Sequence, residues 1–189
     1  MRGGKKANLE GANSQPFFHH SPKNSLNIMY YNARSLLPKF DELATLCELH
    51  QPGIVCIVET WLSPEVTDSE ISINSYQVVR LDRNRHGGGI LMYVHDNLSY
   101  KIIAKGPDAL EFLMLSIYNK CNKLCIGLFY RPPNSLVDVF DNFCTTLEYL
   151  DTSRFSNFIL LGDFKLILIF ITLPPPSTPN LPISLTAFH

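Results

Sequence analysis

The chain has 189 residues, 46% of them hydrophobic, with 16 Lys and Arg against 17 Asp and Glu and a formal net charge of −1. That length supports one domain with a substantial core, and the even charge balance excludes a protein held to nucleic acid by bulk positive charge. Five cysteines is an odd count, and Cys47 and Cys56 sit within apolar patterns, so they read as reduced core thiols. Cys121 and Cys125 have no second Cys or His pair at zinc spacing.

Residues 1–24 are rich in Gly, Lys, Asn and Ser without periodicity and read as a disordered arm, its Lys5, Lys6, His19 and His20 solvated. The arm holds no apolar secretory run, and Leu166–Leu173 falls well short of the roughly 20 residues of a membrane span. The expectation is an intracellular protein, nuclear or cytoplasmic, with no membrane contact.

Leu26–Tyr31, ending at Asn32, is the first expected strand. A helix is expected from about Lys39, where Phe40, Leu43, Ala44 and Cys47 recur at i, i+3, i+4 and i+7 and Asp41 and Glu42 occupy the first turn. Pro52-Gly53 ends it. Ile54–Val58 is an apolar, β-rich run of the kind buried on both faces of a sheet, with Glu59 at its end. These three pieces form a β-α-β unit with parallel strands.

Tyr76–Leu81, Ile90–Val94, Leu110–Tyr118 and Leu124–Tyr130 follow as strands joined by hairpin-length connectors. Gly87-Gly88-Gly89 lacks the spacing of a dinucleotide site and reads as a turn that permits positive φ. Ser135 to Asp138 resembles a capping box, opening a helix with Val137, Phe140, Cys144 and Leu147 on its apolar face. Phe158–Gly162 is the last clear strand and ends at Asp163. The order suggests a mixed sheet in an α/β layer. Beyond Phe164 the pattern breaks, and the proline-rich stretch from Pro174 to Pro179 cannot continue regular structure.

Three apolar strands thus deliver Asn32, Glu59 and Asp163 to strand ends. A charge there is far cheaper than one in the core, and open α/β sheets bind ligands at that rim. Mg²⁺ takes one or two carboxylates together with substrate phosphates and retained waters, so Mg²⁺, or Mn²⁺ in its place, is the expected cofactor. Arg80, Arg83, Arg85 and His86 form the strongest basic cluster. A solvated hairpin is the usual meaning of such a cluster, and a phosphate-backbone contact through Arg85 is the sharper one. Tyr130 closes its strand just before two prolines, where a half-buried ring with a wet hydroxyl is the ordinary role.

At these positions the sequence resembles the endonuclease/exonuclease/phosphatase superfamily, and within it the endonuclease domain of non-LTR (LINE-type) retrotransposons. The carrying motifs are Tyr31-Asn32-Ala33-Arg34-Ser35-Leu36, Val58-Glu59-Thr60-Trp61-Leu62, Gly87-Gly88-Gly89-Ile90, Phe129-Tyr130-Arg131-Pro132-Pro133-Asn134 and Leu160-Leu161-Gly162-Asp163-Phe164. Each is short; five in the right order are specific. The resemblance implies an α/β protein, part of a four-layer α/β sandwich like deoxyribonuclease I, and Mg²⁺-dependent cleavage of DNA phosphodiesters to nick a target for insertion. It implies that Asn32 and Glu59 hold the metal, Tyr130 orients the scissile phosphate, Asn134 lies in the substrate groove, and Asp163 orients or activates the attacking water.

The departures are equally specific. Lys165 stands where the family has an Asn, offering an anion a flexible point charge in place of a fixed amide. No His lies in the family's Ser-Asp-His ending, and a reverse-transcriptase domain is expected in the full-length element but not within these residues. The expected division is an arm over 1–24, the N-terminal portion of the domain over 25–165, and an unrelated tail over 166–189 arising from a frameshift or gene-model error. With the second half missing, the first sheet is expected to lack its partner sheet, to expose an apolar face and to fold poorly, and activity is expected to be weak or absent. The rival readings are a metal-dependent phosphatase of the same superfamily and a degenerate nucleic-acid-binding remnant.

Overall fold

The computed structural model of the protein describes residues 25–106, 110–119, 122–132, 137–148, 155–163 and 183–188. The chain begins with β1 (Leu26–Asn32), a 3-10 turn (Leu37–Lys39), α1 (Phe40–His50) and β2 (Ile54–Val58). β1 and β2 are parallel, with Ile28 opposite Ile54 and Asn32 opposite Val58, as the β-α-β reading requires. α1 stops where Gln51 turns left-handed at φ 44° and returns its N–H to the Cys47 carbonyl, just before Pro52-Gly53.

β3 (Tyr76–Leu81) and β4 (Ile90–His95) form an antiparallel pair, and β4 lies antiparallel to β2. β5 (Ser99–Lys105), β6 (Glu111–Asn119) and β7 (Asn122–Tyr130) make an antiparallel meander; α2 (Val137–Glu148) then leads to β8 (Asn157–Asp163), parallel to β7. β9 (Ile183–Phe188) runs parallel to β1.

Two sheets result, in strand order β3-β4-β2-β1-β9 and β5-β6-β7-β8. The period-2 alternation of strands explains how they pack. Ile28, Cys56 and Met92 of the first sheet face Leu115, Ile126 and Ile159 of the second in one buried cluster. Met29, Val55, Ile57 and Tyr93 point the other way, onto Leu43 and Cys47 of α1 and onto Leu62 and Ile71 of the long β2–β3 connection. On the far side, Cys125, Phe129 and Leu160 pack with Phe143 of α2. The layers are therefore helix and loop, sheet, sheet, helix: the four-layer α/β sandwich expected from the motifs.

Two expectations are corrected. The strands do not form one mixed sheet, and the first sheet does not lack a partner. Residues 99–163 build the second sheet themselves, because β6 and β7 carry apolar residues on both faces and need cover on each. The apolar face expected to be bare is the centre of the core. Within the tail, 183–188 is a strand whose Ile183 and Leu185 pack against the inter-sheet cluster. Its Ile-Ser-Leu-Thr alternation is a legible period-2 signal. The arm, the proposed capping box at Ser135, and Asn134 and Lys165 lie outside the described residues. No helix among the described residues is long and apolar enough to cross a membrane.

Candidate functional site

Register brings two of the expected residues, Asn32 and Glu59, to one rim of the first sheet. Asn32 ends β1 opposite Val58, and Val58 pairs with Ile90 at the start of β4. Glu59 follows immediately, one residue past the ladder rather than within it, because its φ of 55° cannot continue a strand. The two exits stay zipped together: Ala33 N–H donates to Val58 O at 3.0 Å, Ser35 to Glu59 O at 3.0 Å and Leu36 to Thr60 O at 2.9 Å. The Lys39 ammonium caps the Ala33 carbonyl. Arg34, Ser35, Glu59 and Trp61 all take positive φ here, and such strain at non-glycine residues costs on the order of 1–3 kcal/mol each and concentrates at functional sites.

This backbone brings the Asn32 and Glu59 side chains into contact, with Asn32 Nδ2 donating to Glu59 Oε1 at 3.3 Å. Asn32 Oδ1 is buried and has no hydrogen-bond partner among the described residues. A buried carbonyl oxygen left unpaired costs about 1–3 kcal/mol, so its persistence beside a carboxylate marks a place for a donor or a cation. One amide oxygen and one carboxylate are hard oxygen ligands, which fits Mg²⁺ or Mn²⁺ completed by water and phosphate. Among the described residues no group of three or more His, Cys, Asp or Glu is placed to hold a metal ion, so water and phosphate would supply most of the ligands.

On the second sheet, Glu111, Tyr130 and Asp163 stand side by side across β6, β7 and β8, Glu111 opposite Tyr130 and Tyr130 opposite Asp163. Tyr130 is more buried than the sequence reading implies and belongs to the inter-sheet cluster. Arg85 is exposed and turns to the β2–β3 connection, its Nε donating to Ser63 Oγ at 3.2 Å and its Nη2 lying 3.9 Å from Glu65 Oε2.

The residue that sequence reading overlooks is Glu111. Its side chain is 3% exposed, and it joins the two sheets: Oε2 accepts the Gly89 N–H at 2.5 Å, and Oε1 accepts Arg83 Nη1 at 3.1 Å. Burial raises its carboxyl above the ordinary range; the Gly89 amide and the Arg83 guanidinium oppose this, and the charge of Glu59 adds to it. A lone acid at the head of the apolar run Leu110-Glu111-Phe112-Leu113-Met114-Leu115 is the signal that could have found it.

The fold recurs in solved structures. The human Nocturnin catalytic domain matches at a TM-score of 0.56 and 13% identity, over 74% of this chain and 64% of that one. An endonuclease/exonuclease/phosphatase family protein from Bacteroides thetaiotaomicron matches at 0.54 and 14%, over 72% and 62%. The endonuclease domain of TRAS1, a telomere-specific non-LTR retrotransposon, matches at 0.52 and 13%, over 72% and 57%. The chain spans less than two thirds of each of these proteins. No protein-family profile and no curated protein matches the sequence. The chain therefore shares the fold of these proteins, one of them a retrotransposon endonuclease domain.

Proposed function

We propose that this chain carries the metal half-site of a divalent-cation-dependent phosphodiesterase that nicks DNA. The observation that carries the reading is the Asn32–Glu59 pair, with its unpartnered amide oxygen on a strained rim. Asn32 Oδ1 and Glu59 would hold Mg²⁺, which when bound supplies charge neutralisation at the scissile phosphate and the leaving oxygen. Asp163 would accept a proton from the attacking water, and Tyr130 Oη would donate to a phosphate oxygen, the two standing opposite each other in the register of β7 and β8. Asn134 and Lys165 would contact the DNA strand, and Arg85 a flanking phosphate once it releases Glu65. Turnover is weak in this reading, because no His of the chain lies in the family's Ser-Asp-His ending.

The test is nicking of supercoiled plasmid with Mg²⁺ or Mn²⁺, run beside hydrolysis of a small phosphomonoester. We expect slow nicking that is abolished by EDTA and by Glu59→Ala, at least 100-fold below the parent, as for the loss of a metal ligand at a centre stabilising phosphoryl charge. Monoester hydrolysis without nicking would select the phosphatase reading. Salt-dependent DNA binding without turnover by either assay would select the binding remnant.

A further inference from the structure

We propose that Glu111 is a positioning residue for the Asn32–Glu59 cation site, acting across the sheet interface through the Gly88–Gly89 turn. The inference rests on the cation-site reading above and adds a residue to it.

The connection can be followed bond by bond. Glu111 lies at the start of β6, on the opposite sheet from Asn32 and Glu59. Its carboxylate grips Gly89 N–H on one oxygen and Arg83 on the other. The turn it grips in turn holds the exit of β2: Thr60 N–H donates to Gly89 O at 3.2 Å, and Trp61 N–H donates to Gly88 O at 2.9 Å. Glu59 precedes these two residues directly. Glu59 and Trp61, at φ 55° and 53°, adopt a backbone their own side chains disfavour, so the conformation has to be imposed from outside. The bonds to the turn supply that constraint on one side, as those from Ser35 and Leu36 do on the other.

The glycines make the grip possible. Gly88 and Gly89 have φ of 73° and 82°, and a Cβ on Gly88 would meet the Glu111 carboxylate at 2.5 Å, while one on Gly89 would strike the Thr60 hydroxyl. The turn is thus fitted to a carboxylate on one side and to the Glu59 exit on the other. What a rigid, charge-assisted grip adds is orientation, the service that groups behind metal ligands perform.

The test reads cation affinity and requires no turnover. Trp61 is the single tryptophan of the chain and lies two residues from Glu59, so it can sensitise luminescence of bound Tb³⁺, and Mg²⁺ affinity follows from competition. Glu111→Gln is expected to weaken Tb³⁺ and Mg²⁺ binding about 10- to 100-fold, as loss of a group behind a metal ligand does. Ser116→Ala, a substitution of a buried residue farther along the same strand, and Phe143→Ala, which lowers stability from the other side of the second sheet, should leave affinity unchanged. Unaltered affinity in folded Glu111→Gln overturns the inference. If that variant does not fold, Glu111→Asp takes its place, because it keeps the charge while drawing the carboxylate back from the Gly89 N–H, and it carries the same expectation and the same overturning result. Glu59→Ala separates the two claims. If it binds Tb³⁺ as well as the parent, the cation-site reading itself fails; if it loses binding while Glu111→Gln does not, only the role of Glu111 fails.

Discussion

At the scale of single residues, the environment of each ionisable group sets how it behaves. Arg80 Nε sits 2.9 Å from Asp68 and 3.6 Å from Asp82, yet burial outweighs the attraction and raises the Asp82 carboxyl above its ordinary value. A folded state that binds this proton more tightly than the unfolded chain is favoured below the ordinary carboxylate range. That advantage is lost as pH rises through the raised value. The melting temperature of Asp82→Asn relative to the parent should therefore increase from about pH 4 to about pH 7, and a flat or falling difference would contradict this. Burial also pushes the thiols of Cys47 and Cys125 up to about 12 and raises that of Cys56. A disulfide reagent at neutral pH should leave these three unmodified until the protein is unfolded. The sequence pointed to Cys47 and Cys56 as core thiols, because an apolar run or stripe is a burial signal that needs no partner. Glu111 escaped it because its partners, Arg83 and Gly89, lie 28 and 22 residues away in sequence.

At the scale of elements, local pattern located the helices well and the sheets only in part. α1 begins at Phe40, and its stripe packs as its spacing requires, with Leu43 and Cys47 buried. For α2 the stripe was read as Val137, Phe140, Cys144 and Leu147; Leu147 does pack against the cluster, and Phe143, outside that stripe, is buried in it. Its ring stacks on Phe129 at 4.3 Å and meets Phe112 edge-on at 5.5 Å. Phe143→Ala should destabilise the protein by about 3–5 kcal/mol, measured by urea unfolding; a loss below 1 kcal/mol would mean that α2 is not docked there. Which strands share a sheet was not legible, because alternation fixes a strand's faces but not its neighbours. β2 and the Leu124–Tyr130 part of β7 both read as apolar runs, yet they belong to different sheets.

At the scale of the whole molecule, a single cluster spans both sheets, running from Ile54 and Met92 on one to Leu128 and Leu161 on the other. Neither sheet can lose this face without exposing the other, so the described fold should unfold as one unit. Trp61 fluorescence, which reports the rim, and far-ultraviolet circular dichroism, which reports the strands, should give coincident urea transitions. Separated transitions would show that the sheets are independently stable. The strand-end motifs announced this architecture through resemblance, while the order of the elements alone reached no further than a mixed sheet in an α/β layer. The rim pair Asn32–Glu59 was legible because parallel neighbours end together.

The pairing of Leu26 with Ile183 joins almost the first described residue to almost the last, and this bears on how the chain is made. During synthesis at about 5–20 residues per second, β1 would wait roughly 10–30 s for β9 to exist. Throughout that interval one side of an apolar strand offers bare amides and carbonyls to any neighbouring nascent chain. Ribosomal pausing before residue 183 would lengthen this exposure, so the yield of soluble protein is tied to elongation rate as well as to the stability of the finished fold.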